Sequence, residues 1–213
     1  MFTDRIDAGK LLAGKLLKYN GSSEVIVLGI PRGGVEVAYS VAKELKAEFG
    51  IAVAKKIPFP GNPELAIGAV AFGGVVSLDD SFARSHGISR EYIESETKRL
   101  AEEIRRRYDA YGVVFPAVKG KIAVVVDDGM ATGHTVLAAV RAVRNGKPKK
   151  LVVAVPVSSE QAAGMIKVEA DELICLDIPE DFMSVGEFYR SFPQLADEDV
   201  ISYLKMAASA GKK

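Results

Sequence analysis

The sequence predicts an α/β fold with a parallel central sheet, and three observations support this prediction. Short runs of aliphatic and β-branched residues recur along the 213-residue chain, at 25–30, 121–126 and 151–157. Stretches with the apolar spacing of helices separate these runs, and such alternation is typical of right-handed βαβ units. The runs are apolar almost throughout, as expected of strands that are buried on both faces.

The N-terminal third is predicted to contain two helices and two strands. Thr3 or Asp4 can cap the first helix, and Asn20-Gly21 ends it. The elements that follow are strand 25–30, a turn at 31–34, a helix near 34–48 and strand 51–54.

Residues 57–66 contain three prolines, a glycine and an asparagine, which predicts a mobile loop. Two apolar stretches, 67–72 and 75–78, flank Gly73-Gly74 and predict a hairpin. Together they define a flexible region at about 57–78.

The second half is predicted to continue the helix and strand alternation. Its elements are a long helix from Ser89 to about 111, strand 121–126, helix 133–145, strand 151–157, a helix capped by Ser158, and strand 172–176. The tail is acidic and aromatic, and we expect it to form a lobe over one edge of the sheet. The predicted organisation is therefore a core at 1–176 and an appended segment at 177–213.

Composition excludes several classes of protein. The 28 Lys and Arg balance the 28 Asp and Glu, which argues against a nucleic-acid or membrane-surface binder. The single Cys175 excludes an internal disulfide, and two histidines argue against a histidine-rich metal site. No apolar run is long enough to span a bilayer, and residues 1–5 lack the apolar core of a secretion signal. We therefore expect a cytoplasmic protein.

The most informative stretch is 122–135, where an apolar strand ends in Asp127-Asp128 and a glycine-spaced turn starts a helix. Open α/β folds bind ligands at this edge of the sheet. The amides of 131–135 and the nearby threonine hydroxyls favour an anion. The carboxylates suit hydroxyl groups or a metal a few ångströms away. A ligand with a phosphate, a polyol and a bound Mg²⁺ satisfies all these groups.

Other phosphate-binding motifs do not fit. A Walker A loop needs four residues between its glycines and then Lys, whereas three residues separate Gly129 from Gly133 and His134 follows. The glycines after strand 25–30 lack the spacing of a dinucleotide fingerprint. A phospho-receiver domain would draw its acidic cluster from separate strands.

The sequence Val-Val-Val-Asp-Asp-Gly-Met-Ala-Thr-Gly-His-Thr at 124–135 resembles the phosphoribosyl-pyrophosphate (PRPP) signature of type I phosphoribosyltransferases. Residues 28–34 resemble the family's first pyrophosphate loop. Lys55-Lys56 and 57–66 lie where the family has its flexible active-site loop, and the tail lies where it has the hood that binds the base. The chain most resembles a group with Pro-Arg-Gly-Gly and Gly-Asn-Pro-Glu motifs.

The resemblance implies a Rossmann-like core and a Mg²⁺-dependent reaction in which a nitrogenous base displaces pyrophosphate from PRPP. The product is a nucleoside 5′-monophosphate, the acceptor is a purine- or pyrimidine-like base, and the protein is a homodimer. It also implies a cis peptide bond between Pro31 and Arg32.

The resemblance also implies roles for individual residues. Asp127 and Asp128 would hold the ribose hydroxyls and stabilise positive charge at C1, and Mg²⁺ would be held mainly through PRPP and water. The residues implied to bind the 5′-phosphate are Ala131, Thr132, Gly133, His134 and Thr135. Those implied to bind pyrophosphate are Arg32, Gly33, Gly34, Lys55 and Lys56.

Recognition of the base is the least defined part of the resemblance. Ala131 stands where hypoxanthine–guanine enzymes have an Asp, which argues against 6-oxopurines. Glu64 is a candidate replacement acid, and the alternative is an exposed loop carboxylate. Phe182 and Tyr189 could stack on a base, and the alternative is that both belong to the core.

Two other functions are considered. A PRPP-sensing regulator would keep the binding loop without catalysis, but the roughly 24 residues before the first strand are too few for a DNA-binding module. A generic phosphosugar-binding α/β hydrolase would explain the Thr-Gly turn but not the Asp pair. The presence of Arg32, Lys55, Lys56 and Glu64 favours a phosphoribosyltransferase over a regulator.

Overall fold

The computed structural model describes residues 1–210; the side chains of residues 63, 64 and 210, and residues 211–213 entirely, lie outside the described part. The strands are β1 (Val25–Gly29), β2 (Glu48–Ile51), β3 (Ala54–Phe59), β4 (Asn62–Ala71), β5 (Val75–Leu78), β6 (Ile122–Val126), β7 (Lys150–Val157) and β8 (Glu172–Asp177). The α-helices are α1 (Arg5–Lys15), α2 (Gly33–Leu45), α3 (Asp80–Ser85), α4 (Arg90–Tyr111), α5 (His134–Asn145), α6 (Glu160–Glu169) and α7 (Asp197–Ala210).

A five-stranded parallel sheet in the order β2-β1-β6-β7-β8 forms the centre of the molecule, which confirms the predicted fold class. Its two faces are covered by different helices. Ile26 and Leu28 pack in a cluster with α5, whereas Val25 and Val27 pack on the opposite face with α1 and α2. All four side chains are fully buried, which explains why strand β1 is apolar without alternation.

The prediction of irregular loop structure at 57–66 is wrong, whereas the mobility of this segment stays a prediction. Strands β3 and β4 pair across it, with Phe59 opposite Asn62, and β5 completes a three-stranded antiparallel sheet. The prolines suggested a loop, but Pro58 lies on the edge strand where the register shifts, a position at which a strand tolerates proline. The hairpin predicted for 67–72 and 75–78 is confirmed.

Several boundaries differ from the predictions. The cap of α1 is one of the two predicted residues, Asp4, whose carboxylate accepts the Asp7 amide at 2.8 Å. Ser159 rather than Ser158 caps α6. The second strand is 48–51 instead of 51–54.

The tail extends further across the sheet than expected. Its first half lies beside Phe2, whose amide donates to the Phe188 carbonyl at 2.7 Å. It ends in α7 at the opposite edge, where the Tyr203 hydroxyl donates to Glu36 of α2 at 2.7 Å. The division at residue 176 stays a prediction. None of the helices within residues 1–210 is long and apolar enough to cross a membrane.

Glu172, at the start of β8, forms hydrogen bonds and ion pairs with side chains of neighbouring elements. These contacts predict that the stability of the protein depends on pH. The Glu172 carboxylate accepts the Lys150 ammonium and the Tyr19 hydroxyl, both at 2.7 Å, and also the Lys18 ammonium. Burial alone would raise the pKa of Glu172, but these donors outweigh it and lower the pKa to about 2. The folded-state pKa lies below the unfolded-state value, so this stabilisation is complete above about pH 4.5 and is lost as the pH falls towards 2.

We therefore expect Glu172→Gln to lower the unfolding free energy by about 1–2 kcal/mol at pH 6, with the difference shrinking towards pH 3. Urea unfolding at pH 6 and pH 3 measures the difference in unfolding free energy between the variant and the wild type. Glu24→Gln is the control, because Glu24 forms an exposed ion pair with Lys149. A difference that does not change with pH would contradict the expectation.

Candidate functional site

Two strand-to-helix turns lie side by side at the carboxyl edge of the parallel sheet. Strands β1 and β6 are neighbours, and Gly29 is paired with Val126 at their ends. The chain turns from β1 into α2 and from β6 into α5, so the N-termini of both helices lie at this edge. The amides of helix N-termini favour anions, and open α/β sheets bind ligands in such a crevice.

The two turns are in direct contact. A Cβ atom added to Gly34 would lie 2.6 Å from Asp127 Oδ1, and one added to Gly33 would overlap Asp128 Oδ2. The predicted pyrophosphate loop and the predicted ribose carboxylates therefore form one site. The peptide bond between Pro31 and Arg32 is cis, as the resemblance implied.

Asp127 and Asp128 are partly buried and share a cation. Asp127 Oδ1 accepts the Asp128 amide at 2.9 Å, and Arg5 Nε donates to Asp128 Oδ2 at 2.8 Å. Burial and the adjacent Asp128 carboxylate raise the pKa of Asp127 well above its usual range. Burial also raises the pKa of Asp128, although the Arg5 charge and hydrogen bond oppose this. The pair therefore retains a proton more readily than an exposed pair would.

The turn at 131–135 contains backbone amides that lack a protein acceptor among the described residues. Gly133, with φ 78°, precedes α5 and lies against Ala162 of α6, where an added Cβ would come within 3.0 Å of the Ala162 Cβ. Ser159 Oγ fixes the turn by donating to the Ala131 carbonyl at 2.6 Å. In the part of the chain that the structure describes, the amides of residues 131–136 donate to no acceptor. They remain available to an anion.

His134 links this turn to the small sheet. Its Nδ1 lies 3.0 Å from Ser77 Oγ of β5. Burial lowers the pKa of His134, while the nearby Asp79 carboxylate opposes the shift. The imidazole therefore connects β5 to the first turn of α5.

The predicted cations have different surroundings. Arg32 is exposed and immediately precedes α2. Lys55 is paired with Glu103 of α4, so a contact with a ligand requires this ion pair to open. Lys56 is exposed on β3.

The predicted base-binding residues differ in accessibility. Phe182 is half-buried and stacks on Phe188 at 5.5 Å. Tyr189 is only 6% exposed, with its ring against Phe2 and Phe192, so no face is open to a base. The stacking expected of Tyr189 is therefore wrong, because burial makes the ring part of the core. The side chain of Glu64, the predicted acid, lies outside the described residues.

The sequence interpretation missed two contributors to the site. Arg5 holds the Asp128 carboxylate, and the Tyr189 hydroxyl donates to the Asp128 carbonyl at 2.6 Å. One signal was available for Arg5: a cation in the first turn of a helix opposes the helix dipole, so it needs an acidic partner elsewhere.

Comparisons with known proteins agree with this geometry. Residues 3–190 match the family model described as "Phosphoribosyl transferase domain". The chain is 39% identical over 209 residues to "Putative phosphoribosyl transferase Rv0571c" of Mycobacterium tuberculosis H37Rv. That match covers 97% of this chain but 47% of the relative, so the chain spans about half the relative's length.

Two solved structures are also similar. TT1426 from Thermus thermophilus is 41% identical, with a TM-score of 0.78 over 95% of this chain and 97% of that chain. AQ2163 from Aquifex aeolicus is 16% identical, with a TM-score of 0.53 over 82% of this chain and 74% of that chain, and shows likeness of fold alone.

Proposed function

Because this chain belongs to the phosphoribosyl transferase family, we propose that it displaces pyrophosphate from C1 of PRPP with a ring nitrogen of a purine- or pyrimidine-like base. The product is a nucleoside 5′-monophosphate. One observation carries the proposal: the N-termini of α2 and α5 meet at Asp127 and Asp128. Two groups of anion-binding amides beside a carboxylate pair match a ligand with a phosphate, a ribose and a pyrophosphate.

The residues divide between the parts of this ligand. The amides of 131–135, with the Thr132 and Thr135 hydroxyls, bind the 5′-phosphate. The Asp127 and Asp128 carboxylates accept the ribose hydroxyls and stabilise positive charge that develops at C1 as the bond to pyrophosphate breaks. The turn at 32–34 binds the departing pyrophosphate. Catalysis on this arrangement is mainly positioning and electrostatic stabilisation.

The site also fits Mg²⁺. Asp127 and Asp128 supply the carboxylate oxygens that this ion prefers. Among the side chains that the structure describes, no group of three or more His, Cys, Asp and Glu residues could hold a metal. Mg²⁺ would therefore be held by these carboxylates together with PRPP oxygens and water. The chemistry that bound Mg²⁺ supplies is neutralisation of charge on the leaving pyrophosphate.

The acceptor base and its acid are the open part of the proposal. Ala131 places no carboxyl group beside the phosphate turn, which disfavours 6-oxopurines. Glu64 is the candidate acid, and Phe182 remains a candidate for contact with the base. We further propose a homodimer, which light scattering tests.

The test is a panel of purine and pyrimidine bases with PRPP and Mg²⁺, measuring pyrophosphate release. We expect turnover with one base and binding of PRPP by calorimetry. PRPP binding without turnover would support the PRPP-sensing regulator instead. Neither binding nor turnover would contradict the proposal.

A further inference from the structure

We propose that Arg5 is a positioning residue that holds Asp128 in its working orientation, and that the tail of the chain holds Arg5 in turn. This inference rests on the proposed function and deepens it. Arg5 lies in α1, outside both turns, and its guanidinium is buried against Asp128 and the turn at Gly33.

The guanidinium of Arg5 is fixed on two edges and one face. Its Nε donates to Asp128 Oδ2 at 2.8 Å, and its Nη1 donates to the Pro193 carbonyl at 2.7 Å. Its Cζ lies 3.7 Å from the centroid of the Phe192 ring. Because these three contacts restrict rotation of the planar guanidinium, its Nε–H group holds the Asp128 carboxylate in one orientation.

Two short segments cooperate in this support. Residues 2–5 run beside 188–193: the Arg190 amide donates to the Phe2 carbonyl at 2.9 Å, and the Ser191 amide donates to the Thr3 carbonyl at 3.0 Å. From the same tail segment, the Tyr189 hydroxyl donates to the Asp128 carbonyl at 2.6 Å. Asp128 is therefore held through both its side chain and its main chain.

Charge and burial explain why an arginine is needed. Arg5 is 4% exposed and provides the cation for two adjacent, partly buried carboxylates. Without it, like charges in a desolvated site would repel each other and draw in a proton or water. Because Arg5 is 4% exposed and donates from Nε to Asp128 and from Nη1 to Pro193, we assign it to positioning Asp128 and not to contact with substrate.

A double-mutant cycle tests this assignment. Arg5→Gln is expected to lower kcat/KM for PRPP by about 10- to 100-fold, the range typical of residues that orient ligand-holding groups. In an Asp128→Asn background the same change should cost less than about 3-fold, because the side chain that Arg5 still contacts no longer carries the charge on which its effect depends. Arg5→Lys should recover part of the loss, since it keeps the charge without the planar fork.

The control is Arg144→Gln, which removes an arginine from a surface ion pair with Asp171. It should leave kcat/KM unchanged. If Arg5→Gln does not fold, Arg5→Lys replaces it in the double-mutant cycle with Asp128→Asn.

The outcomes separate the two proposals. If the wild-type protein neither binds nor consumes PRPP, the proposed function fails and this inference fails with it. If the wild type is active, the inference alone is overturned by a fully active Arg5→Gln, by additive losses in the cycle, or by a loss that only follows the folded fraction.

Discussion

Asp128→Asn is expected to lower kcat/KM for PRPP by about 100- to 1,000-fold, the cost of removing one group that stabilises charge in a transition state. The substitution keeps the shape of the side chain, and its amide oxygen can still accept from Arg5. It removes the negative charge that the proposed mechanism places near C1. Initial rates of pyrophosphate release measure the effect.

The matched control for this experiment is Asp109→Asn, because Asp109 is an exposed aspartate of α4. Its activity should equal that of the wild type, and thermal unfolding should show that both variants are folded. Retention of more than about a tenth of wild-type activity by Asp128→Asn would contradict the expected charge stabilisation by this carboxylate.

Gly34→Ala is expected to affect both activity and stability. The added Cβ would lie 2.7 Å from Asp127 Cα and 2.9 Å from the Val126 carbonyl oxygen, and both are backbone atoms that cannot rotate away. We expect a loss of about 1–3 kcal/mol in unfolding free energy, the usual cost of overpacking. The N-terminus of α2 must move from Asp127, and displacement of about 1 Å in such a site can cost about 100-fold in rate.

Gly164→Ala provides the comparison for the glycine experiment. Gly164 lies within α6, and an added Cβ there would meet no atom within 4 Å. The Gly164→Ala variant should keep full activity. Its unfolding free energy should rise by up to about 1 kcal/mol, since alanine favours a helix more than glycine. Full activity and stability in Gly34→Ala would contradict the close approach of the two turns.

The parts of the molecule that could be predicted from sequence are those set by local patterns. Strand β1 is apolar because both its faces are covered, and the pattern indicated this directly. The turn at 127–135 combines its carboxylates, glycines and hydroxyls within a few residues, so its spacing predicted an anion site beside a polar pair.

The parts that sequence did not predict depend on tertiary contacts. The hairpin of β3 and β4 forms despite Pro58, because that residue lies on an edge strand at a register shift. Arg5 and Asp128 are 123 positions apart, so no local pattern joins them. For Tyr189 the sequence left base stacking and core packing as alternatives, and its burial against Phe2, which is distant in sequence, places it in the core.

The pairing of residues 2–5 with 188–193 affects the order in which the protein can fold during synthesis. The contact between Arg5 and Pro193 spans 188 positions, whereas β1 pairs with β6 well before that point. The parallel sheet can therefore form on the ribosome while Arg5 still lacks Phe192 and Pro193, and contacts of such sequence separation close slowly. The carboxylate pair would reach its final arrangement only after residues 192 and 193 have emerged, later than the scaffold that carries it.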